Sequence, residues 1–179
     1  MEAKEKILRE AAKLFSKKGF TDAGTDEIIL KSGTSKGLLF YHYKSKEGLL
    51  AAVLERGWEI IQANCTVDVP DKAAGMALRR LIKQLTGSLK KDYDYWKIYT
   101  AVLINHYRSD NLEITVKNPA EAYQDLTATL FAKMGRNNPE RWAFSFDIHF
   151  RGLYFGYVSQ PDSFPLDKGM QVMVDMFTR

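Results

Sequence analysis

Apolar residues recur at three- and four-residue steps along almost the whole chain, which is the period of an amphipathic helix. Ile7, Leu8, Ala11, Ala12, Leu14 and Phe15 make one such face, predicting a first helix over Lys4 to Lys18 that stops at Gly19. Thr25 has the chemistry of an N-cap, and Asp26 and Glu27 follow it where a helix start favours acids. A second helix is predicted over Asp26 to Ser32, broken by Gly33. Ser35 can cap a third, Lys36 to Tyr43, and Ser45 a fourth, from Lys46 through Ile61. Two short helices joined by a glycine-containing turn form a helix-turn-helix motif.

Beyond a loop around Pro70, the same period predicts helix five over Lys72 to Lys90 and helix six over Tyr93 to Tyr107, with Ser109 to Lys117 ambiguous. Asn118-Pro119 and Asn138-Pro139 each place a capping residue before a proline at the first helical position, starting helices seven and eight, which run to about Met134 and Ser159. Helix nine runs from about Leu166 to the end. No alternating run is long enough for a sheet, so the expected class is all-α with about nine helices.

Composition adds limits. The 179 residues are 45% hydrophobic and 27% charged, the range of ordinary globular chains, with one cysteine, Cys65. The segment Met1 to Arg9 is charged and has no signal-peptide core, and the longest apolar stretch, Gly152 to Val158, is too short to span a bilayer. The expectation is a cytoplasmic protein with no membrane segment. Net charge is +4, and it is unevenly spread: residues 1–48 carry 10 Lys+Arg against 7 Asp+Glu, and no acid lies between Ile28 and Lys46. A basic stripe is the footprint of a phosphate-binding surface, although solvated charged faces are commoner. His42, His106 and His149 lack metal-ligand spacing, and no catalytic triad, phosphate-cradling loop or paired carboxylates stand out. Neither a cofactor nor an enzymatic activity is expected.

In the third helix, Leu39 and Tyr43 share one side, Gly37 and Tyr41 lie opposite, and Lys36 and Phe40 flank them. The first pair can anchor the helix; the others then face outward, an unusual place for aromatics unless a partner meets them. Residues 4–54, from KEKILREAAKLFSKKGF through TDAGTDEIILKSGTSKGLLFYHYKSKEGLLAAVL, resemble the N-terminal DNA-binding domain of the tetracycline-repressor (TetR) family. The resemblance implies a helix-turn-helix domain over 1–46 and a divergent helical domain over 47–179 that dimerises and usually binds a small molecule. It also implies double-stranded DNA as partner, with two recognition helices reading a palindromic operator about one helical turn or slightly more apart.

Roles combine that resemblance with side-chain chemistry. Lys36 suits guanine O6 and N7, Gly37 admits the backbone close to base edges, and Phe40 offers an apolar face to a thymine methyl. The family often has tyrosine at this position, so Phe40 lacks a hydroxyl. Thr25, Tyr41, His42 and Lys46 match phosphate-contacting positions, and Thr34 and Ser35 lie beside the groove. Ile29 and Ser32 stand where alanine is usual, Thr34 where valine is usual, and Asp26 puts an acid beside a position that is often polar or basic.

In the C-terminal half, helix eight is apolar nearly all round, implying burial on more than one side, and Gly152 and Gly156 would let another helix approach. Helices eight and nine are the expected homodimer interface, an intramolecular core being the alternative. Trp96, Tyr99, Leu103, Tyr123, Phe146 and His149 are candidate lining for a small, mostly apolar effector, or simply core packing. Asp147 and Arg151, four apart, are expected to pair with each other or across the dimer. The reading is a ligand-released repressor in which helix four carries the switch to Lys46. A constitutive DNA-binding dimer is the alternative.

Overall fold

The computed structural model describes residues 2–65, 70–105 and 119–179, the side chains of 105, 119 and 120 excepted. All regular structure among these residues is helical. The expected Asn118 cap, the segment Ser109 to Lys117, and His106 and Tyr107 at the end of predicted helix six lie outside the described residues.

The helices are α1 (Ala3–Lys18), α2 (Thr25–Ser32), α3 (Lys36–Tyr43), α4 (Lys46–Ala63), α5 (Ala74–Lys91), α6 (Tyr93–Asn105), α7 (Pro119–Lys133), α8 (Pro139–Ser159) and α9 (Leu166–Phe177). They fall into two compact units, one of Met1–Gly57 with Asp94–Val116, the other of Trp58–Tyr93 with Lys117–Arg179.

In the first unit the predicted face of α1 is buried from Ile7 to Phe15, and the helix stops at Gly19, whose φ of 82° suits glycine. Gly33 closes α2 at φ 63°, ψ 36°, and the Thr34 N–H reaches back to the Ile29 carbonyl at 3.2 Å. That left-handed residue turns the chain sharply enough for α3 to start three residues later. The Ser35 hydroxyl accepts the Leu38 N–H at 3.2 Å, and Ser45 accepts the Gly48 N–H at 3.0 Å, so both predicted serine caps form. At Gly48 a side chain has no room, because an added Cβ would strike the Tyr43 carbonyl oxygen; this fixes the tight α3–α4 corner. The expected Thr25 cap does not form. Thr25 is the first helical residue, and Gly24 takes the cap position with extended backbone and no side-chain bond. The Gly24 carbonyl instead accepts the Ile28 N–H at 3.2 Å.

In the second unit a 3₁₀ turn, Asp71–Ala73, precedes α5, so the α-helix begins two residues after the predicted start. Leu78, Leu81, Ile82, Leu85 and Leu89 form its buried face as the period requires. Asn138 does not cap α8 through its side chain. It sits at φ 54°, ψ 64°, and its carbonyl receives the Arg141 and Trp142 N–H groups. The left-handed backbone that reverses the chain after α7 fixes this residue before its amide can act as a cap. One side of α8 is buried through Ala143, Phe146, Phe150, Leu153 and Tyr154, while Phe144 and Ile148 are exposed. Gly152 meets nothing, but Gly156 lies against the Phe164 ring of the α8–α9 connection, so the close approach is made by a loop of the same chain.

Candidate nucleic-acid interface

The α3 surface is set by which side of eight residues is tied down. Leu39 and Tyr43 are buried, and the Tyr43 hydroxyl donates to the Lys4 carbonyl at 2.8 Å, lacing α3 to the start of α1. Burial, with the Glu5 and Tyr95 neighbours adding to it, pushes that phenol up to about 12, so it stays a donor. With this side fixed, Lys36, Gly37 and Tyr41 are exposed, Tyr41 by 71%. Phe40 and His42 are half-buried and Ser35 is exposed. Thus the outward arrangement expected of Lys36, Gly37 and Tyr41 is present, with Phe40 partly seated.

The surrounding polar groups are less free than their sequence positions suggest. Tyr41 packs edge-on against His42, centroids 5.1 Å apart, and Lys44 Nζ lies 5.6 Å from the Tyr41 ring centroid. Lys44 itself sits at φ 66° in the α3–α4 corner, which turns its cation back over the exposed aromatic. Half-buried Thr34 shares a 2.7 Å hydrogen bond with Ser32. Because Ser32 Oγ donates to the Ile29 carbonyl at 3.1 Å, the Thr34 hydroxyl is the donor in that pair. Thr25 is half-buried on the first turn of α2.

Lys46 is not an extended cation. Its ammonium donates to the Thr21 carbonyl at 2.9 Å and lies 4.7 Å from the Phe20 ring centroid. One of its three donors is used, leaving two. Glu27 is held by Lys18 at 2.6 Å and Lys31 at 3.6 Å. The Lys18 hydrogen bond, followed by the charges of both lysines, holds the Glu27 carboxyl below the ordinary range. Asp26 stands 4.0 Å from Lys36 Nζ. Neither that pair nor the exposed Leu30 on α2 was legible from helical period, because each depends on how α2 and α3 are oriented by the Gly33 turn.

The six candidate effector residues are divided between the units. Trp96, Tyr99 and Leu103 belong to the first, the two aromatics buried and Leu103 half-buried. Tyr123, Phe146 and His149 belong to the second, where Tyr123 and Phe146 are fully buried and meet edge to face at 5.9 Å. His149 was expected on a buried face and is instead exposed, its Nδ1 paired with the Ser145 carbonyl at 2.7 Å and its ring edge-on to Phe177. Asp147 is buried: it accepts the Tyr123 hydroxyl at 2.6 Å and Arg151 Nε at 2.7 Å, so the expected Asp147–Arg151 pair forms within the chain. Cys65 donates to the Ile61 carbonyl, and burial pushes its thiol up to about 12, which favours the protonated form. Among the described residues no cluster of three His, Cys, Asp or Glu side chains could hold a metal ion, and no helix is long and apolar enough to cross a membrane.

Residues 7–53 match the family model described as bacterial regulatory proteins, tetR family. The helix-turn-helix segment is that of the tetR family. This is a family of regulators rather than enzymes, and the matched segment is the one that carries α1 to α3 and the start of α4. Among its relatives, the HTH-type transcriptional regulator YerO of Bacillus subtilis is 28% identical over 162 residues, covering 88% of this chain and 55% of YerO. The HTH-type transcriptional regulator QacR of Staphylococcus aureus is 44% identical over 62 residues, 33% of each protein. The chain thus spans about half of YerO, and its likeness to QacR is confined to a third of either protein. Likeness in fold extends over nearly the full length. A transcriptional regulator from Saccharomonospora viridis, solved in complex with choline, superposes with a TM-score of 0.79 at 17% identity, covering 97% of this chain and 94% of that one.

Proposed function

We propose that this chain is a sequence-specific DNA-binding transcriptional regulator, acting in the bacterial cytoplasm as a homodimeric repressor on a palindromic operator. The observation that carries the reading is α3: a capped helix anchored from behind by Leu39 and Tyr43, presenting Lys36, Gly37 and Tyr41 outward with Phe40 half-buried among them. A recognition helix needs this division, since the residues at its N-terminal end reach base edges in the major groove. Lys36 reads guanine and Phe40 meets a thymine methyl. Thr25, Tyr41, His42 and Lys46 contact phosphates, with Thr34 and Ser35 at the groove edge. Phosphate contacts position the helix, whereas base contacts specify the site.

Two substitutions separate these roles. Lys36→Ala is expected to weaken operator binding and relax preference at one base pair by about 1–3 kcal/mol. Lys46→Ala is expected to weaken binding to every duplex alike and to flatten the salt dependence of the binding constant by about one unit. Fluorescence anisotropy titrations at several salt concentrations check both. Unchanged affinity and selectivity for Lys36→Ala would contradict the reading.

The dimer is supported by Phe144 and Ile148 on α8 and by Val172 and Met176 on α9. Each pair is four residues apart on its helix, and all four side chains are exposed. An apolar face on two packed helices is the surface a second copy would cover. Sedimentation at micromolar concentration is expected to show a dimer that Ile148→Glu converts to monomer; a monomeric wild type would refute the interface.

Release by a small, mostly apolar effector is the proposed control. It is supported by the buried aromatics of each unit, Trp96 and Tyr99 in one and Tyr123 and Phe146 in the other. An effector can move the equilibrium only by its differential affinity for the two states. α4 is one continuous helix with Lys46 at its start, so displacement of its body is carried to the DNA contact. A thermal-shift screen with no hit among lipophilic and cationic compounds would favour the effector-free alternative.

A further inference from the structure

The stretch from residue 26 to residue 46 contains two acids, Asp26 and Glu27. Glu27 is folded back onto Lys18 and Lys31. Asp26 is not: its side chain is 87% exposed, 4.0 Å from Lys36 Nζ, whose own side chain is 70% exposed. An ion pair this open contributes little to stability, so folding does not account for it. A carboxylate on a surface that approaches phosphates is also repelled, unless it comes to rest on a hydrogen-bond donor. The major groove supplies such donors on its base edges.

The pair is also well placed to act as a unit. Asp26 lies in the first turn of α2 and Lys36 is the first residue of α3. The left-handed Gly33 and the Ser35 cap fix the two helix starts relative to each other. Three donors on the ammonium and a carboxylate acceptor therefore project together. Read across the major groove, a G·C pair offers acceptor, acceptor, donor: guanine N7, guanine O6 and cytosine N4. An A·T pair offers acceptor, donor, acceptor. A lysine covering two adjacent acceptors, with a carboxylate beside it for the next donor, matches the first order and not the second.

We propose that Asp26 is a specificity-determining residue, accepting the N4 amino group of the cytosine whose paired guanine is read by Lys36. The inference rests on the DNA-binding reading above. Asp26 also restrains Lys36 from reaching the nearest phosphate, so affinity for arbitrary DNA is given up for discrimination at one base pair.

The test selects bound duplexes from a library of randomised double-stranded DNA with the full chain, then titrates wild type, Asp26→Ala and Asp26→Asn against the selected duplex. A second duplex carries A·T in place of the G·C pair whose preference Lys36→Ala abolishes. Wild type is expected to prefer G·C there by about tenfold or more. Asp26→Ala is expected to lose most of that preference while binding the A·T duplex at least as tightly as wild type. Asp26→Asn, with both a donor and an acceptor, is expected to shift preference toward the A·T duplex. If Asp26→Ala tightens binding to both duplexes equally and keeps the G·C preference, Asp26 is only a repelling charge and the inference is overturned, while the DNA-binding reading stands. If wild type enriches no sequence at all, both fall.

Discussion

Leu39→Ala is expected to cost about 2–5 kcal/mol of stability and to weaken operator binding further than the loss of folded protein explains. Leu39 is fully buried, and α3 has only eight residues. A helix that short does not hold itself together in water, so its packing on α1 and α2 supplies both its stability and its orientation. The cavity left by truncation frees α3 to shift, and a shifted α3 misplaces Lys36 and Phe40 together. Tyr41→Ala, two residues on but exposed, is expected to change stability by no more than about 0.5 kcal/mol while still weakening DNA binding. Urea unfolding read beside binding titrations gives both quantities. Equal destabilisation by the two substitutions would show that α3 does not divide into an anchoring and a presenting side.

Asp147→Ala is expected to lower stability by about 2–4 kcal/mol without altering base preference. The carboxylate is buried between the Tyr123 hydroxyl and Arg151. Burial first, and then the hydrogen bond to Asp147, pushes the Tyr123 phenol far up, so it stays protonated and needs its acceptor. Removing the acceptor strands a buried donor, at about 1–3 kcal/mol. Arg151 adds less than a fully buried partner would, because a third of its side chain is in water and can re-solvate. Tyr123→Phe in the Asp147→Ala background removes the stranded hydroxyl and is expected to add little further loss. A double-mutant cycle by thermal or urea unfolding checks this coupling; additive losses would contradict it.

The parts of the fold legible in the sequence are those governed by local chemistry. Gly33, Ser35 and Ser45 punctuate the chain so tightly that α3 occupies the expected residues, and the inward role of Leu39 and Tyr43 follows from helical period. Thr25 and Asn138 failed as caps for a related reason. A capping side chain acts only if the backbone enters the helix at its own position, and the turns before α2 and α8 set that position one residue away or in a left-handed conformation. Long side chains were less legible still. The seating of Lys46 on the Thr21 carbonyl and the approach of Lys36 to Asp26 link residues 25 and 10 apart, which no periodic pattern reports. His149 shares a helix with a buried aromatic face but lies just off it, and a rotation of one position around α8 was enough to expose it. The grouping of Asp94–Val116 with Met1–Gly57 is likewise a long-range property of the chain.

The most direct test of the central claim is dimethyl sulfate footprinting on a selected operator duplex. The reagent methylates guanine N7 in the major groove and adenine N3 in the minor groove. The account predicts two patches of guanine N7 protection about one helical turn apart, on the same face of the duplex, and loss of that protection with Lys36→Ala. Protection confined to adenine N3, or guanine protection that survives Lys36→Ala unchanged, would contradict it.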